Sequence, residues 1–194
     1  YHAFDEEMTK PLLDSIITRL ESEGFRIQGI TFDLGNKKLI SQLKYQTNHY
    51  FKNPYDKTKK VFMFPDVPHL LKMARNHVFD TGFKVPSEDG NLEPLVKQDF
   101  EDVLAKNRGS ELRTTFKLSR AHLDVKGSQR QRVRLAVQVL SSTVAQEMLK
   151  LGPDTDEYKA KSKAVKLFND WFDVMNAKSM NDKNPLSRGM SPDI

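Results

Sequence analysis

The stretch from Lys60 to His77, KVFMFPDVPHLLKMARNH, constrains the fold of this chain more than any other. Val61 to Phe64 is wholly apolar, with lysines before it and Pro65 after it, the pattern of a buried strand. Asp66, Val67 and Pro68 then open an amphipathic helix. Asp66 stands where an N-cap is expected, and Pro68 falls in the first turn, where proline is tolerated. Before this stretch strands and helices alternate; after it the pattern reads as helix alone. A chain of this kind is an α/β piece that hands over to an α-helical block.

Upstream, Met8 to Glu23 repeats Leu12, Leu13, Ile16, Ile17 and Leu20 at helical spacing, and Gly24 ends it. Phe25 to Phe32, FRIQGITF, alternates apolar and polar residues as a strand does and terminates in Asp33. An acidic residue at the carboxyl end of a strand, before a glycine turn and a helix, is where α/β folds place chemistry. The same residue could equally cap the helix around Lys37 to Leu43. Asn48 to Thr58 and Gly82 to Gly90 read as loops. Three or four helices are then expected, over roughly 92–106, 110–123, 130–151 and 156–178, with a loose tail from Asn181.

With 38% hydrophobic residues and 194 positions the chain can bury a core, as one domain or as one domain with an insertion. No apolar run approaches the roughly 18–20 residues of a membrane span, so no membrane partner is expected. The opening YHAFDEEMTK is acidic, unlike a signal peptide, and the absence of cysteine excludes disulfides and cysteine-based zinc sites. Starting on Tyr1 and ending on SRGMSPDI, the chain reads as a piece of something longer.

Charge is unevenly spread. Between Glu101 and Lys150 there are 10 Lys/Arg against 5 Asp/Glu, which accounts for the whole net charge of +5. Arg113, Lys117, Arg120, Lys126, Arg130, Arg132 and Arg134 carry most of it. Such a patch can face phosphates or simply be a solvated helix face. No Gly-rich phosphate loop of either common type is present. His69 and His77, eight apart, lack a clustered carboxylate and make a poor zinc site. On spacing alone, Asp66 and His69 are a helix cap with a histidine packed behind it. Asp173 and Asn176 lie three apart in the aromatic stripe WFDVMN and need polar partners. A purine base is one, because a carboxylate accepts two N–H donors while a phenyl ring stacks; a salt bridge to the basic patch is another.

The run FMFPDVPHLLKMARNH resembles the DxxHLLKxxRN segment of P-element-type transposases, including their vertebrate THAP-domain relatives. The blocks ITFDLG, FKLSRAHLDVKGSQRQRVRLAVQVLSSTVA and KLFNDWFDVMNAKS follow the family order, the last resembling its LFDxxNSR block. The resemblance runs from about Leu12 to Ser179. It implies a mixed α/β plus all-α fold: a partial RNase H-like domain over 1–68, arranged helix–strand–helix–strand, then a helical GTP-binding insertion over 69–180.

The resemblance also implies roles. Asp33 would be the second of three acidic residues holding two Mg²⁺ ions for phosphoryl transfer. Without the other two acids, this chain alone would not cut DNA. Lys117, Arg132, Val133, Ser141, Phe172, Asp173 and Asn176 would form the nucleotide site. Lys117 and Arg132 would neutralise phosphates, Phe172 would stack, and Asp173 would read guanine N–H groups. GTP would be a cofactor that is not hydrolysed. Asp66 and His69, as a D-x-x-H signature, would lie near the DNA at the active site. Transposon-end and target DNA, a homo-oligomer and a nuclear location complete the implied picture. Arg132 replaces the lysine common in relatives, Ala177-Lys178 replaces Ser-Arg, and the turn after Asp33 is short. A domesticated copy that binds nucleotide or DNA without cutting is the alternative.

Overall fold

The structure, a computed structural model, describes residues 8–33, 35–108, 115, 117–177 and 179–188. It divides into two compact units, Tyr1–Asp66 and Val67–Ile194, at the junction between strand and helix.

In the first unit, helix α1 (Lys10–Ser22) carries Pro11 in its opening turn, where the missing N–H costs nothing. Strand β1 (Gly29–Phe32), helix α2 (Lys37–Gln42), strand β2 (Tyr50–Lys52) and strand β3 (Lys60–Pro65) follow. The sheet order is β1-β3-β2, with β1 parallel and β2 antiparallel to β3. The register pairs Phe32 with Pro65. Asp33 and Asp66 therefore both follow the carboxyl ends of neighbouring parallel strands.

The strand expected over Phe25–Phe32 pairs only from Gly29. Upstream, the Ile27 N–H donates at 2.7 Å to the Glu21 carboxylate instead of to a strand. Strand β2 lies in a stretch read as loop, being too short for its alternation to register. Leu39, Leu43 and Met63 form a small core on one sheet face, packed by Leu13, Ile30, Phe32, Tyr45 and Phe51. On the other face Tyr50, Phe62 and Phe64 are exposed.

The second unit begins with helix α3 (Val67–Asp80) and a hairpin of β4 (Phe83–Pro86) and β5 (Leu92–Leu95). It continues with helices α4 (Lys97–Arg108) and α5 (Arg120–Leu123) and a 3-10 turn (Gly127–Gln131). Helices α6 (Val133–Val139), α7 (Ser142–Leu149) and α8 (Asp156–Met175) and a second 3-10 turn (Pro185–Arg188) complete it. One continuous core joins Leu71, Val78, Leu95, Phe100, Val103, Leu140, Met148 and Val165.

The reading of helix alone after His77 is corrected in two places. The hairpin replaces the expected loop and the start of the helix over 92–106. Its turn is closed by Asp89, which accepts from the Asn91 N–H at 3.0 Å, and by Gly90 at φ +86. Pro86 and Pro94 disguised it, yet both are tolerated because each strand of a two-stranded ribbon keeps a free edge. The single helix expected over 130–151 is instead a 3-10 turn and two helices, broken at Leu140–Ser141. Of the helix expected over 110–123, only Arg120–Leu123 is helical among the described residues. The tail expected to be loose packs its 3-10 turn against α8. No helix among the described residues is long and apolar enough to cross a membrane.

Candidate functional site

The break between α6 and α7 organises the second unit's polar groups. Ser141 has extended backbone angles and caps α7. Its hydroxyl accepts from the Val144 N–H at 3.3 Å and donates to the Gln138 carbonyl at 3.1 Å. A serine bonding its own backbone in this way offers the chain an alternative to continuing a helix. The run Ser141-Ser142-Thr143 inside the apolar pattern was the available signal for it.

Beside this cap lies a cavity of about 170 Å³, lined by Lys117, Ser141, Thr115, Gln138 and Thr143 over an apolar base that includes Val144. Pockets for drug-sized ligands measure roughly 300–1,000 Å³, so this space is smaller than a whole ligand of that size needs. Among the described residues its lining holds the Lys117 ammonium group and no carboxylate.

A hydrogen-bonded relay runs from the start of α7 to Asp173 on α8. The Ser142 N–H donates to Asn169 Oδ1 at 3.1 Å, and Asn169 Nδ2 donates to Asp173 Oδ2 at 3.1 Å. Asn184 Nδ2 donates to the same Asp173 oxygen at 2.9 Å. The other oxygen, Asp173 Oδ1, has no partner among the described residues and remains an acceptor. Sequence reading missed Asn169 and Asn184. Only the four-residue spacing of Asn169 and Asp173 on one helix hinted at the first.

The remaining residues implied by the resemblance lie at the start of α6 and the end of α8. Val133 opens α6 and packs against the core, while Arg132, in the preceding cap position, is exposed. Asn176 ends α8, its N–H donating to the Phe172 carbonyl at 2.9 Å. Phe172 is only 9% exposed and belongs to the core. Lys117 and Ser141 thus share a cavity, and Asp173 connects to the α7 start through Asn169.

Much of the basic patch is tied down. Arg130 forms a bidentate pair with Asp80, which holds the Asp80 carboxyl below its ordinary value. Arg120 lies 3.5 Å from Glu101. Arg75, fully buried on α3, donates to the Arg130 carbonyl at 2.8 Å and so anchors the 3-10 turn that leads into Arg132. Desolvation lowers its pKa, and the neighbouring Arg130 charge lowers it further. Arg113 lies outside the described residues.

In the first unit Asp33 is exposed, and its Oδ1 accepts from the Gly35 N–H at 2.9 Å. It is not the cap of α2. Asn36 fills that role, accepting from the Leu39 N–H at 2.9 Å. The Asp66 N–H donates to the Phe32 carbonyl at 2.9 Å, joining the ends of β1 and β3. His69 is half-buried in the first turns of α3, and the His77 ring lies 4.7 Å from that of Phe83. Among the described residues no group of three His, Asp or Glu side chains is placed to hold a metal ion. Asp33 can supply one carboxylate ligand; the described residues alone do not complete a metal site.

Residues 68–188 match the family described as "TNP-like, GTP-binding insertion domain". The chain belongs to this family. It is also similar to the transposable element P transposase of Drosophila melanogaster, 33% identical over 181 residues, covering 90% of this chain and 23% of that protein. A solved structure, the Drosophila P element transposase strand transfer complex, superposes with a TM-score of 0.81 at 31% identity. The match covers 93% of this chain and 41% of that one. The TNP-like chain is therefore a portion of a P-element-type transposase, and it spans less than a quarter of the curated relative's length.

Proposed function

We propose that the chain is part of a cut-and-paste DNA transposase. In this reading the second unit binds GTP as a cofactor that is not hydrolysed, and the first contributes to an RNase H-like phosphoryl-transfer site. The observation that carries the nucleotide half is the convergence of Lys117 and Ser141 on one cavity, with Asp173 connected to the same helix start. Lys117 and Arg132 supply positive charge to the phosphates. Asp173 Oδ1 accepts from the guanine N–H groups, while Asn169 and Asn184 hold the carboxylate in place. Val133 and Asn176 border the site. Stacking by Phe172 requires its ring to turn out of the core, a movement that nucleotide binding would have to drive.

In the first unit Asp33 contributes one carboxylate to a divalent-metal site completed by residues outside this chain. The metal, when bound, supplies activation of the attacking oxygen and stabilisation of the leaving one. The Gly35 N–H fixes the carboxylate by its Oδ1 and leaves Oδ2 for a ligand. Asp66, at the carboxyl end of the neighbouring strand β3, borders the DNA path in this reading, with His69 close in sequence. DNA joined through the longer protein is the substrate, consistent with the strand transfer complex named for the structural relative.

Titration with mant-GTP tests the nucleotide half: saturable binding by the chain and its loss in Asp173→Asn are expected. Binding that is absent, or indifferent to that substitution, contradicts it. For the catalytic half, strand transfer by the full-length protein is expected to vanish with Asp33→Ala; persistent transfer would overturn the assignment.

A further inference from the structure

The hydrogen bonds around His122 fix the orientation of an amide at the cavity. The Ser119 backbone N–H donates to His122 Nδ1 at 3.2 Å. An N–H group cannot accept, so Nδ1 carries the lone pair and the proton of the neutral ring sits on Nε2. The Ser119 hydroxyl, 2.9 Å away, donates to the same Nδ1. His122 Nε2–H then donates to Gln138 Oε1 at 2.8 Å. This determines which end of the carboxamide is which. The oxygen faces His122, and the NH2 group, without a partner among the described residues, is left to the cavity that Gln138 lines. His122 is 8% exposed and holds this arrangement away from water.

A second observation comes from Thr115 on the same cavity. The residue is 5% exposed, and its hydroxyl is buried with no hydrogen-bond partner among the described residues. Buried hydroxyls without partners are uncommon and call for an explanation. The Ser141 hydroxyl on the same cavity donates to the Gln138 carbonyl and accepts from the Val144 N–H, and is not bonded to Thr115. An amide donor and an unused hydroxyl beside an ammonium group, with no carboxylate among the described lining residues, match an anionic oxygen acceptor.

We propose that Gln138 and Thr115 donate hydrogen bonds to the phosphate oxygens of the bound nucleotide, with His122 as the positioning residue that aims the Gln138 amide. This deepens the GTP reading of the same site and rests on it. Gln138 and Thr115 make the cavity the phosphate end of the site, opposite the guanine-reading carboxylate of Asp173.

The test compares mant-GTP with mant-guanosine, which lacks phosphates, on the chain and its variants, with thermal melts alongside. Thr115→Val keeps the shape and removes the orphaned hydroxyl. It is expected to melt at the same or a higher temperature and yet bind mant-GTP about tenfold more weakly. Gln138→Glu places a carboxylate against the phosphate and is expected to weaken mant-GTP by at least about tenfold. His122→Leu should weaken mant-GTP similarly, and His122→Gln, which keeps an N–H donor for the Gln138 oxygen, should restore most of the loss. Binding of mant-guanosine should stay unchanged in all four. Unaltered mant-GTP binding by Thr115→Val and Gln138→Glu overturns this inference and leaves the GTP reading intact. Equal losses for mant-guanosine overturn it as well. If the unsubstituted chain binds no mant-GTP, both fall.

Discussion

The two units differ in how much of their own apolar surface they bury. In the second unit helices α3, α4, α6, α7 and α8 share one continuous core with Leu95 of the hairpin. In the first, the buried hydrophobic side chains among the described residues are Ile17, Leu39, Leu43, Val61 and Met63, while Tyr50, Phe62 and Phe64 stand exposed on the other face of its three-stranded sheet. Among the described residues strand β1 lies at the sheet edge and pairs only with β3. A sheet with an open edge and a bare aromatic face is a surface built to be covered. The comparison separates a unit that encloses its own core from one that leaves an apolar sheet face exposed.

The largest expected effect lies in the second unit. Lys161 and Asp99, each 4% exposed, pair at 2.7 Å, and Lys161 also reaches Glu157. Burial works against the lysine charge, but the bonds to Asp99 and Glu157 outweigh it and raise the pKa. Asp99 also accepts from the Val96 N–H at 2.7 Å, so the pair ties α8 to the start of α4. Lys161→Ala leaves a buried carboxylate uncompensated and should cost about 3–5 kcal/mol in denaturant melts. A loss below about 1 kcal/mol would mean that this core does not depend on the pair.

A smaller effect distinguishes the first unit by its pH response. The Glu21 carboxylate accepts from Ile27 N–H at 2.7 Å and Asn53 Nδ2 at 2.9 Å, tying the end of α1 to the β2–β3 loop. The Ile27 bond leads the causes that lower its pKa from the ordinary 4.5. A depressed folded value means the stabilisation is complete above pH 4.5 and is lost as the pH falls through the lowered value. Thermal melts of the first unit should therefore fall off below about pH 4.5, and Glu21→Gln should flatten that slope. An identical slope in the variant would remove Glu21 from the account.

The smallest effect is expected at the bare sheet face. Phe64→Ser should cost this chain about 1 kcal/mol or less, since the side chain is 44% exposed and only partly covered. The same substitution in the full-length protein should cost more than about 1 kcal/mol if other segments cover that face. Equal effects in both would break the contrast between the units.

The junction at Lys60–His77 was legible because strand and helix periods differ sharply and proline marks the change. Helices α1, α3 and α8 were legible for the same reason. The hairpin was hidden by Pro86 and Pro94, since composition reads proline as loop whatever its edge position. The α6–α7 break was hidden because Val137, Leu140 and Val144 keep helical spacing across a kink whose cause is a serine hydroxyl. For the proposed site, Asp173 stood out by its place in the aromatic stripe and Lys117 as one of the basic patch, whereas Ser141 entered only through family resemblance. Asn169, Gln138, Thr115 and His122 were not legible, because their roles depend on hydrogen bonds between elements distant in sequence.

The measurement that bears most directly on the account is competition between GTP and ITP for the chain, repeated with Asp173→Asn. Inosine lacks the 2-amino donor of guanine, so Asp173 loses one charge-assisted hydrogen bond with it. A GTP preference of about tenfold or more is predicted, and it should disappear in Asp173→Asn. Equal affinity for the two nucleotides, or a preference that survives the substitution, would contradict the assignment of Asp173 as the reader of guanine.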